Sequence, residues 1–157
     1  MKSIALIFSM CFVFNIYAQN LNSQRIWKIS SKKRSIFLDK GVFHIDSMKG
    51  TNHLKGLRNS YFKSRGYERV VFDFEGMNPP NLYGHISKEK KKIYLDFFNT
   101  SFNKKMNSIS KIKFVKSVDF FTIDKDQVSI ELNLDGKVSY DIFYLSNPGR
   151  LVIDIQK

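Results

Sequence analysis

From residue 42 onward the chain is written in a two-residue rhythm of apolar and polar positions. Gln127 to Gly136 carries it most clearly: Val128, Ile130, Leu132 and Leu134 alternate with Ser129, Glu131, Asn133 and Asp135. Successive side chains of a strand point to opposite faces, so four apolar residues meet a core and four polar ones meet water. Asp135-Gly136 follows as a turn signal, because both residues tolerate positive φ. Val138 to Leu145 is expected as the return strand of a hairpin. Ser146-Asn147-Pro148-Gly149 marks another turn, and Arg150 to Gln156 closes the chain with Leu151, Ile153 and Ile155 on one face.

The same passage occurs once before. Arg69 to Gly76 places Val70, Phe72 and Phe74 on one face and matches Ser129 to Gly136, with Gly76 answering to Gly136. Lys92-Ile93-Tyr94-Leu95-Asp96-Phe97 matches Arg150-Leu151-Val152-Ile153-Asp154-Ile155. Each copy reads strand, acidic residue with Gly, strand, polar turn, and a strand holding an aliphatic-Asp-apolar triplet. Two copies suit one internally symmetric domain and not a solenoid, which needs three or more repeats. A strand is expected before each copy: Leu54 to Phe62 in the first, and in the second a segment alternating Ile112, Phe114 and Val118 with Lys113 and Val115. Val42 to Ile45 adds a further strand. Ser87 to Lys92 reads as a hairpin loop, by analogy with the turn at Ser146 to Gly149. Long amphipathic helices are absent from the pattern. The fold expected is therefore all-β, a β-sandwich of two antiparallel sheets with internal two-fold duplication.

The N-terminus breaks the rhythm. Lys2 precedes an apolar run from Ile4 to Phe14, and Ala18 offers a small residue for cleavage. That is the form of a signal peptide over residues 1–18, and the run is too short for a span of roughly 20 apolar residues. Met10 stands where a lipoprotein signal needs a small residue before Cys11. The chain expected after cleavage, about 140 residues, suits one domain, and it has no cysteine for a disulfide. Residues 19–41 are less regular and read as an N-terminal extension. There, Ile26-Trp27-Lys28-Ile29 and Ser35-Ile36-Phe37-Leu38 supply short strands or a tail that packs on the sandwich. Residues 42–157 form the domain, and no later segment has the length and apolarity to cross a bilayer.

The formal charge is +12, from 26 Lys and Arg against 14 Asp and Glu. Such a balance draws a protein toward anions, and export makes nucleic acid the least accessible of them. No nucleic-acid partner is expected.

The passages Arg69-Val70-Val71-Phe72-Asp73-Phe74 and Arg150-Leu151-Val152-Ile153-Asp154-Ile155 resemble the AMIN domain. In that family a strand reading Thr-Arg-aliphatic-aliphatic-aliphatic-Asp precedes one reading Arg-Leu-Val-Val-Asp-aliphatic, in duplicate. The resemblance covers residues 42–157. It implies two symmetric four-stranded sheets in an exported, periplasmic or wall-associated module. It also implies peptidoglycan as ligand, with cell-wall amidases or pilus secretins as associated proteins. The copies depart from the pattern at Ser129, which replaces the strand-opening Arg, and at Lys92, which replaces the Arg seen at Arg150.

A wall binder needs cations for stem-peptide carboxylates and flat apolar surface for sugars. Arg69 and Arg150 are the arginines at motif positions, suited to carboxylates by their planar fork. A surface ion pair of Arg69 with Asp73 or Glu75 is the plainer alternative. Asp96 and Asp154 are equivalent, and each either contacts ligand or pairs with a nearby cation. Tyr94 and Phe98 share the face of Asp96. Together with Tyr83 and His85 they offer an aromatic platform, unless another segment covers it. The five ligand-binding candidates are Arg69, Tyr94, Asp96, Arg150 and Asp154. Lys88, Lys90, Lys91 and Lys92, with Lys104, Lys105, Lys111, Lys113 and Lys116, could hold anionic polymer or stand as solvated loops.

Catalysis is not expected. There is no G-x-S-x-G elbow, and His44, His53 and His85 lack metal-ligand spacing. Asp73 and Glu75, two apart on a strand, lie on its solvent face. Neither a metal nor any other cofactor is expected. The reading is a non-catalytic exported protein that binds peptidoglycan. The alternative is a protein-interaction subunit of an envelope machine, a pilus or secretin complex or an amidase regulator, that adds a partner's strand to its edge.

Overall fold

The computed structural model describes residues 33–35, 42–45, 50–103, 106, 109 and 111–157. The expected signal peptide, Ile26 to Ile29 and Ile36 to Leu38 lie outside the described residues. Those residues form eleven strands and no helix. In chain order they are β1 (Lys33–Ser35), β2 (Val42–Ile45), β3 (Asn52–Phe62), β4 (Tyr67–Phe74), β5 (Asn81–Ser87), β6 (Lys92–Phe98), β7 (Thr100–Phe102), β8 (Val115–Asp124), β9 (Gln127–Leu134), β10 (Ser139–Leu145) and β11 (Arg150–Gln156).

Two sheets form. Sheet A runs β1-β10-β11-β4-β3-β7, and sheet B runs β2-β5-β6-β9-β8. Every neighbouring pair is antiparallel except β3 with β7, a short parallel ladder from Asn52 to Leu54. The duplication is built into this order. Exchanging β3, β4, β5 and β6 for β8, β9, β10 and β11 converts β10-β11-β4-β3 into β5-β6-β9-β8. The short strands follow the same rule, with β1 beside β10 in one sheet and β2 beside β5 in the other. Each sheet therefore holds one hairpin from each copy, and the copies meet at its centre, β11 on β4 and β6 on β9.

The apolar parity of the strands explains the core. Val70, Phe72 and Phe74 of β4, Ile93, Leu95 and Phe97 of β6, Val128, Ile130 and Leu132 of β9, and Leu151, Ile153 and Ile155 of β11 are buried between the sheets. Phe97 packs against Phe72 and Phe74, with ring centroids 5.8 and 5.3 Å away. Each such side chain contributes about 1.5–3 kcal/mol on burial. Among the described residues two polar side chains are fully buried, Thr100, whose hydroxyl donates to the Phe98 carbonyl, and Glu68. Glu68, fully buried on β4, accepts bonds from the backbone N–H groups of Phe114 and Val115 and from Asn59 Nδ2 at 2.7 Å. It fixes the start of β8 beneath sheet A.

Two expectations need correction. The Asp135-Gly136 turn does not return the chain in a hairpin. It carries β9 of sheet B across to β10 of sheet A, as the Gly76 turn carries β4 across to β5. The hairpins are β3–β4, β5–β6, β8–β9 and β10–β11. The reason is lateral: β4 and β9 already have both neighbours in their sheets, so the following strand must change layer. Gly136, at φ +91°, supplies a bend that serves a corner as well as a hairpin. The second copy's opening strand also starts later than expected, at Val115. An irregularity between Val115 and Ser117 shifts its register, so Phe114, Val115 and Val118 are buried while Ile112 is exposed.

Candidate functional site

The central pairing of each sheet brings the candidates together and then separates them. On sheet A, β11 and β4 place Asp154 opposite Arg69 and Arg150 opposite Asp73. On sheet B, β6 and β9 place Asp96 opposite Ser129 and Lys92 opposite Asn133. These are the same lattice positions in the two copies. Inner and outer residues alternate along both strands, so Arg69, Asp154 and Arg150 stand on the outer face of sheet A. Tyr94 and Asp96 stand on that of sheet B, across the core.

The sheet A face is closed by its own side chains. Arg69 grips Asp154 with both arms of its fork, Nε to Oδ1 at 2.6 Å and Nη2 to Oδ2 at 2.7 Å. Its partner is thus the motif aspartate of the other copy, not Asp73 or Glu75. Asp73 instead takes a bidentate pair from Arg58. The Arg69 guanidinium lies 5.2, 5.6 and 5.8 Å from the ring centres of Tyr67, Phe143 and Phe62. Asp154 holds it more firmly protonated than an ordinary arginine, an effect that burial partly opposes. Beside this clamp Val71, Phe143 and Val152 form a small second cluster, all buried although they are on an outer face. Arg150 reaches back to the carbonyl of Pro148 at 3.4 Å.

Among the described residues the sheet B face is the more open one, with Tyr83, His85 and Phe121 exposed. The register aligns Tyr83, Asp96, Ser129 and Phe121 in one row across β5, β6, β9 and β8, and His85, Tyr94, Glu131 and Asp119 in the next. Tyr83 is 41% exposed and Phe121 45%. The His85 and Tyr94 rings stack with centroids 4.6 Å apart and planes 3° from parallel. Asp96 accepts a 2.6 Å bond from Ser129 Oγ. Asp119 accepts from Asn133 Nδ2 at 2.6 Å and Ser117 Oγ at 3.3 Å. Glu131 pairs with Lys92 at 2.6 Å, and Lys92 Nζ also lies 6.0 Å from the Tyr94 ring centre. Of the expected platform of Tyr83, His85, Tyr94 and Phe98, Tyr83 and His85 are exposed and Tyr94 and Phe98 are half-buried. Phe121 and Asp119 complete it. The sequence reading missed both, because it did not carry the β8 strand past Val118.

The lysines divide. Lys88, Lys90 and Lys91 are exposed in the β5–β6 turn, while Lys111 and Lys116 meet Asp135 at 2.9 and 3.7 Å. Lys104 and Lys105 lie outside the described residues. Among the described residues no three His, Cys, Asp or Glu side chains converge on a metal-sized site, and no helix is long and apolar enough to cross a membrane.

No curated protein matches the chain. The AMIN domain family matches it twice, over residues 62–140 and over residues 117–157. Together the two matches cover more than half of the sequence and include the motif strands of both copies.

Proposed function

The chain belongs to the AMIN domain family, and on that footing we propose that it is an exported, non-catalytic envelope protein that binds peptidoglycan. AMIN domains are binding and localisation modules found in periplasmic or wall-associated proteins. The observation that carries the reading is the double family match on a sandwich whose two outer faces bear the same motif positions. The signal-like residues 1–18 support export, and the +12 charge supports residence beside an anionic polymer. Of the candidates, Tyr94 and Asp96 are assigned to ligand contact. Arg69 and Asp154, already joined, are assigned to holding the copies together, and Arg150 to the rim of sheet A.

A second reading, an interaction subunit beside an amidase or secretin, is favoured by the edge of sheet B. Strand β8 has no neighbour on its outer side among the described residues and exposes Phe121 and Ile123, the latter 60%. An extended partner segment would pair there.

The test is co-sedimentation of the purified protein with peptidoglycan sacculi at low and at high salt. Pelleting that persists when the Debye length is shortened to about 3 Å is expected for wall recognition. Release at high salt means charge alone, and no pelleting at all turns attention to the β8 edge and a protein partner.

A further inference from the structure

We propose that the outer face of sheet B, and not that of sheet A, is the ligand face, and that it takes the uncharged sugar rings of a pyranose polymer. The inference rests on the wall-binding reading and narrows it to one face and one chemistry. It comes from comparing the two copies at equivalent positions. Where sheet A has Arg69 clamped on Asp154, sheet B has Ser129 on Asp96. Where sheet A has Phe143, Val152 and Val71 buried in a row, sheet B has His85, Tyr94 and Glu131. A long cation that would cover Asp96 has been replaced by a hydroxyl that leaves one carboxylate oxygen without a partner among the described residues. One face has closed on itself and the other is left open.

The chemistry of the open face selects its ligand. Tyr83 and Phe121 flank the Asp96–Ser129 pair across three interstrand steps, about 14 Å at the ordinary strand spacing. That leaves room for more than one sugar ring lying flat on the sheet. Aromatic rings offer apolar surface to the C–H faces of a pyranose, and carboxylates accept hydrogen bonds from its hydroxyl and amide groups. Asp96 and Asp119 are bonded only to neutral donors. Asp119 shares the field of Lys92, whereas Asp96 has no cation paired with it among the described residues, and that bare carboxylate disfavours the carboxylates of stem peptides or the phosphates of anionic polymers. A neutral polymer rich in donors has no such cost.

The experiment titrates the purified protein with neutral glycan strands, soluble oligomers of β-1,4-linked N-acetylglucosamine, alongside intact sacculi. Wild type is expected to bind both. Tyr83→Ala and Tyr94→Ala are expected to weaken glycan binding by about tenfold, or about 1.4 kcal/mol. Ser129→Arg, which restores the closing cation, is expected to abolish it, and Arg150→Ala is expected to bind as wild type. Tyr83 is exposed, so its variant retains the fold whatever becomes of the others. Wild-type binding to sacculi without binding to glycan strands overturns the proposal and leaves the wall-binding reading standing, as does undiminished binding by Tyr83→Ala and Tyr94→Ala. Failure of wild type on both ligands overturns the two together.

Discussion

At the position that holds Arg69 in one copy, the other copy holds Ser129. The arginine makes a partly buried, two-armed ion pair across the junction of the copies, and the serine makes one hydrogen bond. Charge-assisted bonds of the first kind are the stronger. A double-mutant cycle on Arg69→Met and Asp154→Asn is expected to give a coupling of about 1–3 kcal/mol in urea unfolding. The cycle on Ser129→Ala and Asp96→Asn is expected to give about 1 kcal/mol or less. Glu68 is the costlier single residue. Glu68→Leu leaves two interior backbone N–H groups unpaired and is expected to cost on the order of 3 kcal/mol, while Glu68→Gln retains an acceptor and loses less. At acid pH the residue to watch is Asp135, which Lys111 chiefly holds below its ordinary value of 3.8. A carboxyl lowered in the folded state adds stability above its ordinary value and loses it as pH falls through the lowered one. Lys111→Met is expected to move the Asp135 titration, followed by NMR, up toward 3.8.

The elements divide by what period-two patterning can carry. Strands β4, β6, β9 and β11 were legible because each sets an apolar residue at every second position over most of its length, although Val71 and Val152 add apolar residues to the outer face, and their observed limits lie close to those read from sequence. The offsets between copies were legible too, and they fall on equivalent lattice positions. Cross-strand register was not legible. Nothing in Arg69-Val70-Val71-Phe72-Asp73 says that Arg69 meets Asp154, and nothing near Phe121 says that it shares a row with Asp96. Both facts depend on which strands become neighbours. The layer change after β4 and β9 was hidden for the same reason, since an acidic residue followed by Gly, Glu75-Gly76 or Asp135-Gly136, specifies a bend and not its destination. One such bend is backbone on backbone. Gly149 N–H donates to the Gly76 carbonyl at 2.8 Å, and a Cβ at Gly149 would lie 2.7 Å from the Asn78 carbonyl. Gly149→Ala is expected to cost about 1–3 kcal/mol in urea unfolding. Gly56→Ala, whose added methyl meets only Asp73 Oδ2 at 3.9 Å, is expected to be near neutral.

For the whole molecule, the exchange of hairpins between sheets makes the copies interdependent. Neither can complete a sheet, so a fragment of residues 50–103 is expected to lack cooperative unfolding by circular dichroism, whereas the entire chain unfolds in one transition. The same interleaving places two related faces on opposite sides of one core, which lets one serve stability while the other serves binding. The central claim is that the wall is read by the sheet B face. An NMR map of the labelled protein titrated with soluble peptidoglycan fragments tests it most directly. The account predicts shifts concentrated at Tyr83, His85, Tyr94, Asp96, Ser129 and Phe121, with Arg69, Arg150 and Asp154 unmoved. Shifts centred on the sheet A residues, or none at saturating ligand, would contradict it.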